Sequence, residues 1–227
     1  MDNLLLKTIK RVCIVALVFI GFICVVLYTT DFNKAKPKIS KFAQSIYELN
    51  ATVNGDVSFS LFPLGLVING VNIQNPQNFS QDDLMIQNAS VRLKLKILPL
   101  LIAKQQLKEI EIKSANINMI KNENGEINFD LEEIASKKEV ALRFSNCDLS
   151  FEDLKISAQD LNLYAVKKAQ NIEGSFDVKE IKTQKETIQK ANGNFVLQNN
   201  NLEIKKLEYT KNGEKINSTF VLDLVQF

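Results

Sequence analysis

The side chains that carry most enzymatic chemistry are scarce in this 227-residue chain. Histidine is absent, which removes the imidazole general base, the Ser-His and Cys-His nucleophile pairs and the commonest metal ligand. The three cysteines are Cys13, Cys24 and Cys147. The first two lie in an apolar run and the third stands alone, so neither a disulfide framework nor a CxxC metal site is expected. Paired carboxylates occur at Asp82-Asp83 and Glu132-Glu133. Neighbours on a strand point to opposite faces, so neither pair converges on one ligand, and both read as solvated loop charge. Lys137-Lys138 and Lys167-Lys168 read as surface charge that anionic head groups could use weakly. Arginine occurs only at Arg11, Arg92 and Arg143, and net charge is +2. Specific nucleic-acid readout, which relies on bidentate arginine, is therefore not expected. Neither an enzyme nor a cofactor is expected. The sequons at Asn78-Phe79-Ser80 and Asn217-Ser218-Thr219 matter only where a eukaryotic glycosylation apparatus acts on the chain.

The elements that position these residues start with an anchor. From Val12 to Thr30 the run VCIVALVFIGFICVVLYTT carries no charge. At 1.5 Å per residue it makes a helix of roughly 28 Å, close to the thickness of a hydrocarbon core. A cleaved signal peptide is the rival reading. The run exceeds the usual apolar region of a signal and no A-x-A-like site follows it. Lys7, Lys10 and Arg11 on one side face Asp31, Lys34, Lys36 and Lys38 on the other, a near balance that only leans toward a cytoplasmic N-terminus. Next, KAKPKISKFAQSIYELN predicts a short amphipathic helix over about 37–49, with Pro37 in its first turn. Ile39, Phe42, Ala43, Ile46 and Leu49 share one face.

Beyond residue 50 the apolar period changes from helical to strand-like. Val91, Leu93, Leu95 and Ile97 alternate with Arg92, Lys94 and Lys96. The same alternation runs through Val57/Phe59/Leu61, Ile110/Ile112, Ile117/Met119, Phe129 and Leu142/Phe144, and continues to Leu222/Leu224. Asn69-Gly70, Asn124-Gly125, Asn192-Gly193 and Asn212-Gly213 are read as turns between strands. The fold class expected is mainly β: a long antiparallel meander, a dozen strands spanning about 55 Å. Two packed sheets would bury its apolar face in the ordinary way. An open, curled trough would leave that face for a ligand. The residues alone leave both open.

Ordered motifs add a resemblance. Asp31-Phe32-Asn33, then NGDVSFSLFPLGLVINGVNIQNP, then NASVRLKLKILPLL, then ANINMIKNENGEINF together resemble the AsmA family of envelope proteins, with Asn128-Phe129 where that family commonly has Asn-Trp. The match covers roughly the first 135 residues, and the remainder shares mainly its strand rhythm. The resemblance implies an open repeating β-groove that binds phospholipid, single-pass anchoring in the inner (plasma) membrane, a periplasmic body, and a part in lipid transport and outer-membrane homeostasis. The groove-facing candidates are then Val57, Phe59, Leu61, Val91, Leu93, Leu95, Ile97, Ile110, Ile112, Ile117, Met119, Phe129, Leu142 and Phe144.

The expected organisation is a cytoplasmic tail over 1–11, a transmembrane helix over 12–30, an AsmA-like domain with its capping helix over 31–135, and continuing groove over 136–227. Family members are usually several times longer. The chain is therefore read as a short paralogue, a fragment, or a subunit that pairs with another envelope protein through its last strand. The alternative function is an adaptor that regulates the targeting or assembly of outer-membrane proteins without carrying lipid.

Overall fold

The computed structural model describes residues 18, 29–96, 106–129, 140–168, 171–198 and 201–223. The expected span over 12–30 falls almost wholly outside these residues; Ile97 and the Glu132-Glu133 and Lys137-Lys138 pairs lie outside them. Among the described residues no helix is long and apolar enough to cross a membrane.

Asp31 opens the described fold. Its carboxylate accepts the Asn33 N–H at 3.0 Å and caps a single 3-10 turn, Phe32–Ala35. Helix α1 follows at Lys36–Tyr47, with Pro37 in the first turn, where a missing N–H costs nothing. It ends at Glu48, whose left-handed backbone (φ 57°) returns its N–H to the carbonyls of Ala43 and Gln44. This is the helix expected at about 37–49.

The rest is one sheet of strands β1 (Ala51–Val53), β2 (Val57–Leu61), β3 (Leu64–Gln74), β4 (Leu84–Leu95), β5 (Leu107–Lys113), β6 (Asn116–Met119), β7 (Ala141–Phe151), β8 (Ile156–Lys168), β9 (Asn171–Lys182), β10 (Thr187–Gln198), β11 (Asn201–Lys211) and β12 (Glu214–Asp223). They lie in the order β1-β3-β4-β5-β7 and then in sequence to β12, with β2 beside β3 and β6 between β4 and β7. The mainly β meander is therefore present, with one departure from the expected pattern. β5 and β6 form one interrupted strand that is antiparallel to β4 but parallel to β7. A parallel pair needs a crossover of a dozen residues or more, and the connection from Met119 to Ala141 supplies one.

The Asn-Gly pairs divide. Asn212-Gly213 (φ 51° and 85°) turns β11 into β12, as two-residue hairpins require. Asn124-Gly125 lies in a turn closed by the Gly125 N–H on Asn122 O at 2.9 Å. Asn69-Gly70 and Asn192-Gly193 are not turns; they lie inside β3 and β10.

Gly70, at φ 62°, belongs to a series. Asn88, Ser114, Asn146, Asp160, Lys190 and Lys206 also carry left-handed backbone, all within 5° of 55° except Gly70 itself. Each lies inside a strand or at its break, and each is the second of the two residues between the apolar ends of an apolar-x-x-apolar step. The steps are Ile68/Val71, Ile86/Ala89, Ile112/Ala115, Phe144/Cys147, Ala158/Leu161, Ile188/Ala191 and Ile204/Leu207. An extra residue is absorbed as a β-bulge, which bends the strand and resets the alternation, so both flanking apolar residues stay on one face. Register makes the bulges neighbours from strand to strand: Val71 faces Ala89 and Cys147 faces Leu161.

One hydrophobic cluster occupies the bent face, from Val57 and Ile68 through Phe144 and Cys147 to Phe195 and Leu197. Four of the residues immediately after the bulges are small and buried, Ala89, Ala115, Cys147 and Ala191, with Ala89 and Cys147 at 0% exposure. Each large core side chain in the cluster contributes roughly 1.5–3 kcal/mol on burial.

Candidate functional site

At the N-terminal end of the sheet, α1 lies over the apolar face and leaves a cavity of about 140 Å³. Ile39, Phe42, Ala43 and the adjoining Leu49 form its roof. Its floor comes from β1, β3, β4, β5 and β7, and among the described residues no charged side chain lines it. Such a surface can hold hydrocarbon and has no group to polarise, protonate or attack a bond.

The expected groove-facing residues divide as follows. Val91, Leu93, Ile110, Ile112, Phe129, Leu142 and Phe144 line the cavity. Phe129 meets Phe144 edge to face, centroids 6.0 Å apart. Val57 and Ile117 are buried in the core, and Met119 packs against it. Phe59 stacks on Phe32 at 5.9 Å. Leu95 is half-buried and pairs with Leu107 of the cavity lining without lining it itself, Leu61 is exposed, and Ile97 lies outside the described residues. Sequence reasoning missed Ile68, Val71, Ile73, Met85 and Ile86, which also line the cavity. Reading Asn69-Gly70 as a turn cut β3 in two. Following the alternation across the skip from Ile68 to Val71 would have recovered Ile68, Val71 and Ile73.

A buried polar network pins this end of the sheet. Asn128 donates to Asn75 Oδ1 at 2.7 Å and to Asn118 O at 2.9 Å. Its own Oδ1 accepts the Ile120 N–H at 3.0 Å. Asn75, 1% exposed, donates in turn to Ser80 O and Asp83 O. The loop between β3 and β4 is thus fastened to the turn after β6, and Phe129 is delivered to the cavity.

On the opposite face, Glu109 and Glu111 are almost fully covered by cations. Lys94 Nζ lies 2.6 Å from Glu109 and 3.1 Å from Glu111, and Arg143 lies 3.0 Å from Glu109. Burial pushes both carboxyls up, but hydrogen bonds from Lys94, with Arg143 at Glu109 and Lys113 at Glu111, outweigh it and hold them below the usual carboxylate range. Burial likewise works against the charged form of Lys94, and its two carboxylate partners still raise it. Every acid here is matched, so the cluster cross-links β4, β5 and β7. A shallow polar hollow of about 420 Å³ farther along holds Lys168 and Glu173, already paired at 2.6 Å.

Among the described residues no group of three or more His, Cys, Asp or Glu could hold a metal ion. Cys147 is buried and its thiol is pushed up by burial, the opposite of a reactive cysteine. The Asp82 and Asp83 side chains are exposed.

The AsmA family profile matches residues 7–221. The chain belongs to the AsmA family. The match extends well past the 135 residues whose motifs are visible by eye, into the strands that share only the rhythm of alternation. No curated protein matches the chain. The AsmA motifs now have positions. Asp31-Phe32-Asn33 joins the chain to β2, where Asn33 Oδ1 accepts the Val57 N–H at 3.1 Å. The Asn75-Pro76 turn and the Asn128-Phe129 pair, 53 residues apart, are the two ends of one hydrogen bond.

Proposed function

We propose that the chain binds phospholipid, seating acyl chains against the bent apolar face as in an open groove, and so contributes to lipid transport and outer-membrane homeostasis. The observation that carries this reading is, among the described residues, the uncharged cavity at the roofed end of a single sheet whose outermost strands do not pair with each other. AsmA membership supports an envelope role. Each methylene buried there contributes about 0.8 kcal/mol. The enclosed volume suits part of one acyl chain, with the remainder lying along the strip of apolar side chains toward β10. In this reading residues 12–30 anchor the protein in the inner membrane, residues 1–11 are cytoplasmic and the body is periplasmic. No catalytic step or cofactor belongs to it.

One observation favours a second reading, the envelope adaptor that assists outer-membrane protein targeting. Among the described residues β12 is paired only on its β11 side, and Phe220 and Val221 on it are 49% and 68% exposed. Such an edge can receive a partner's strand.

A photo-crosslinking residue placed at Leu93, inside the cavity, and separately at Gln159, exposed on a strand remote from it, distinguishes the two. Lipid captured at 93 and not at 159 is the expected result. No lipid at either position sinks the lipid reading and leaves the adaptor in front. Because Leu93 is only half-buried, Leu93→Asp should leave the sheet folded and abolish lipid co-purification. Full lipid occupancy in that variant would place the binding face elsewhere.

A further inference from the structure

Two exposed features meet where the chain enters the described fold. The first is a row of lysines. Lys34, Lys36, Lys38 and Lys41 occupy eight residues, and no acid occurs between Phe32 and Tyr47. Lys34, Lys38, Lys41 and Ser45 are all exposed; Lys38, Lys41 and Ser45 follow the i, i+3 and i+7 spacing of one face of α1, and Lys34 precedes them in the 3-10 turn. None of these lysines takes part in an ion pair among the described residues, whereas the cations opposite the cavity are held by Glu109 and Glu111. The second feature is apolar. Phe62, at the turn between β2 and β3, is 95% exposed, and Leu61 beside it is 42% exposed. The Phe32–Phe59 stack and the Asn33–Val57 hydrogen bond hold this hairpin against the 3-10 turn that opens α1. Phe62 lies three residues, about 10 Å of strand, beyond that stack.

We propose that the lysines of the 3-10 turn and α1 and the Leu61-Phe62 tip form one docking surface for an anionic phospholipid bilayer. Lysines facing anionic head groups and an aromatic tip at the level of the acyl boundary are the two halves of interfacial binding. The bilayer is favoured over a protein partner by continuity. The uncharged run 12–30 ends two residues before Phe32, so the surface starts where that run would leave a membrane. The other face of α1 roofs the apolar cavity, so docking sets the cavity beside the lipid surface. This proposal does not require that the cavity carry lipid.

The chain contains no tryptophan, so full-length protein with Phe62→Trp carries a single indole. It is reconstituted in vesicles of phosphatidylcholine alone, or with about one third phosphatidylglycerol, each containing brominated acyl chains. In anionic vesicles at low salt the indole should emit at shorter wavelength and be quenched. Each lysine contributes roughly a factor of five in such binding. The triple variant Lys34→Glu, Lys38→Glu, Lys41→Glu should therefore weaken docking about a hundredfold and return the indole to a water-like emission. High salt should act in the same direction. An indole at Phe220 should stay unquenched throughout, and unchanged circular dichroism of the lysine variant keeps misfolding out of the comparison. Water-like emission at position 62 in anionic vesicles, or quenching that survives reversal of the three lysines, overturns the proposal.

Discussion

Asn128 is the residue whose loss should be felt most for its size. Its side chain is almost fully buried and makes three hydrogen bonds, to Asn75 Oδ1, Asn118 O and the Ile120 N–H. Asn128→Ala leaves the buried Asn75 Oδ1 and the part-buried Asn118 carbonyl and Ile120 N–H without this mate. An unmet buried polar group costs about 1–3 kcal/mol, so one buried and two part-buried groups together should cost about 3 kcal/mol. That is a large share of the roughly 5–15 kcal/mol by which domains are stable. At about 2–4 °C per kcal/mol for a body of this size, the melting temperature should fall by roughly 6–12 °C. Urea unfolding of the full chain in mild detergent, followed by far-UV circular dichroism, measures it. Asn75→Ala should also destabilise, because the Ser80 and Asp83 carbonyls lose their donor. The double variant should be less damaging than the sum by about 1 kcal/mol, since the Asn75–Asn128 bond is then counted once. A single-variant loss below about 1 kcal/mol, or strict additivity, would show that the two motifs are merely near each other.

Three further outcomes follow from other parts of the sheet. Glu109 and Glu111 are depressed from an ordinary value of 4.5, so their contribution is complete above that value and is lost as pH falls through the lower folded values. Lys94 is raised from 10.5, so its contribution is complete below that value and is lost as pH rises through the higher folded value. Stability against pH should show both limbs, and Glu109→Gln with Glu111→Gln should flatten the acid one. Gly174 faces Phe195 across β9 and β10, and a Cβ there would come within 2.1 Å of Tyr164 O and 2.5 Å of the Phe195 ring. Gly193 faces Phe176, and its Cβ would come only to 3.1 Å of that ring. Gly174→Ala should therefore cost more than Gly193→Ala, by about 1–3 kcal/mol, measured by thermal melts of the two. Lys190 holds a left-handed backbone at φ 54°, which costs a side-chain-bearing residue roughly 1 kcal/mol. Lys190→Gly should leave stability equal or higher, while glycine at the neighbouring exposed strand position Gln189 should lower it.

Much of this fold is written plainly in the chain. The change of period near residue 50, the helix opened by Pro37, and the alternation through Val91, Leu93, Ile110 and Ile112 all state which face is buried. What periodicity could not state is how β7 joins β5. A parallel and an antiparallel neighbour show the same alternation, and only the path from Met119 to Ala141 decides between them. The site was half legible for a related reason. Residues on clean alternation, such as Leu93 and Phe144, line the cavity. Val57 and Ile117 alternate equally well and are core, because the packing around each residue decides the matter and no single strand encodes it. Asn75 and Asn128 stood out only as parts of family motifs. Their meeting is a property of the fold, since 53 residues separate them in sequence.

The Asn-Gly pairs show what the repeating unit is. Taken as turn signals they divide the chain at Asn69 and Asn192, yet both pairs lie mid-strand, at Gly70 on the bulge row itself. What recurs is a strand with one two-residue skip in its apolar alternation, present in β3, β4, β7, β8, β10 and β11 and at the break between β5 and β6. Side chains stabilise the skip from the next strand. Asn72 accepts the Asn88 N–H at 2.8 Å, Asn162 that of Asn146 at 3.0 Å, and Asp148 that of Asp160 at 3.1 Å. In each case the acceptor stands two residues after its own strand's bulge, so Asn146 and Asp160 on β7 and β8 are capped reciprocally. A sheet of this many strands would otherwise curl or split by twist alone. Bulges placed side by side put the bend at the same level of successive strands, which is why one apolar strip continues from α1 to β10. The skip, and not the hairpin turn, is therefore the sequence feature that gives these strands a common bent face.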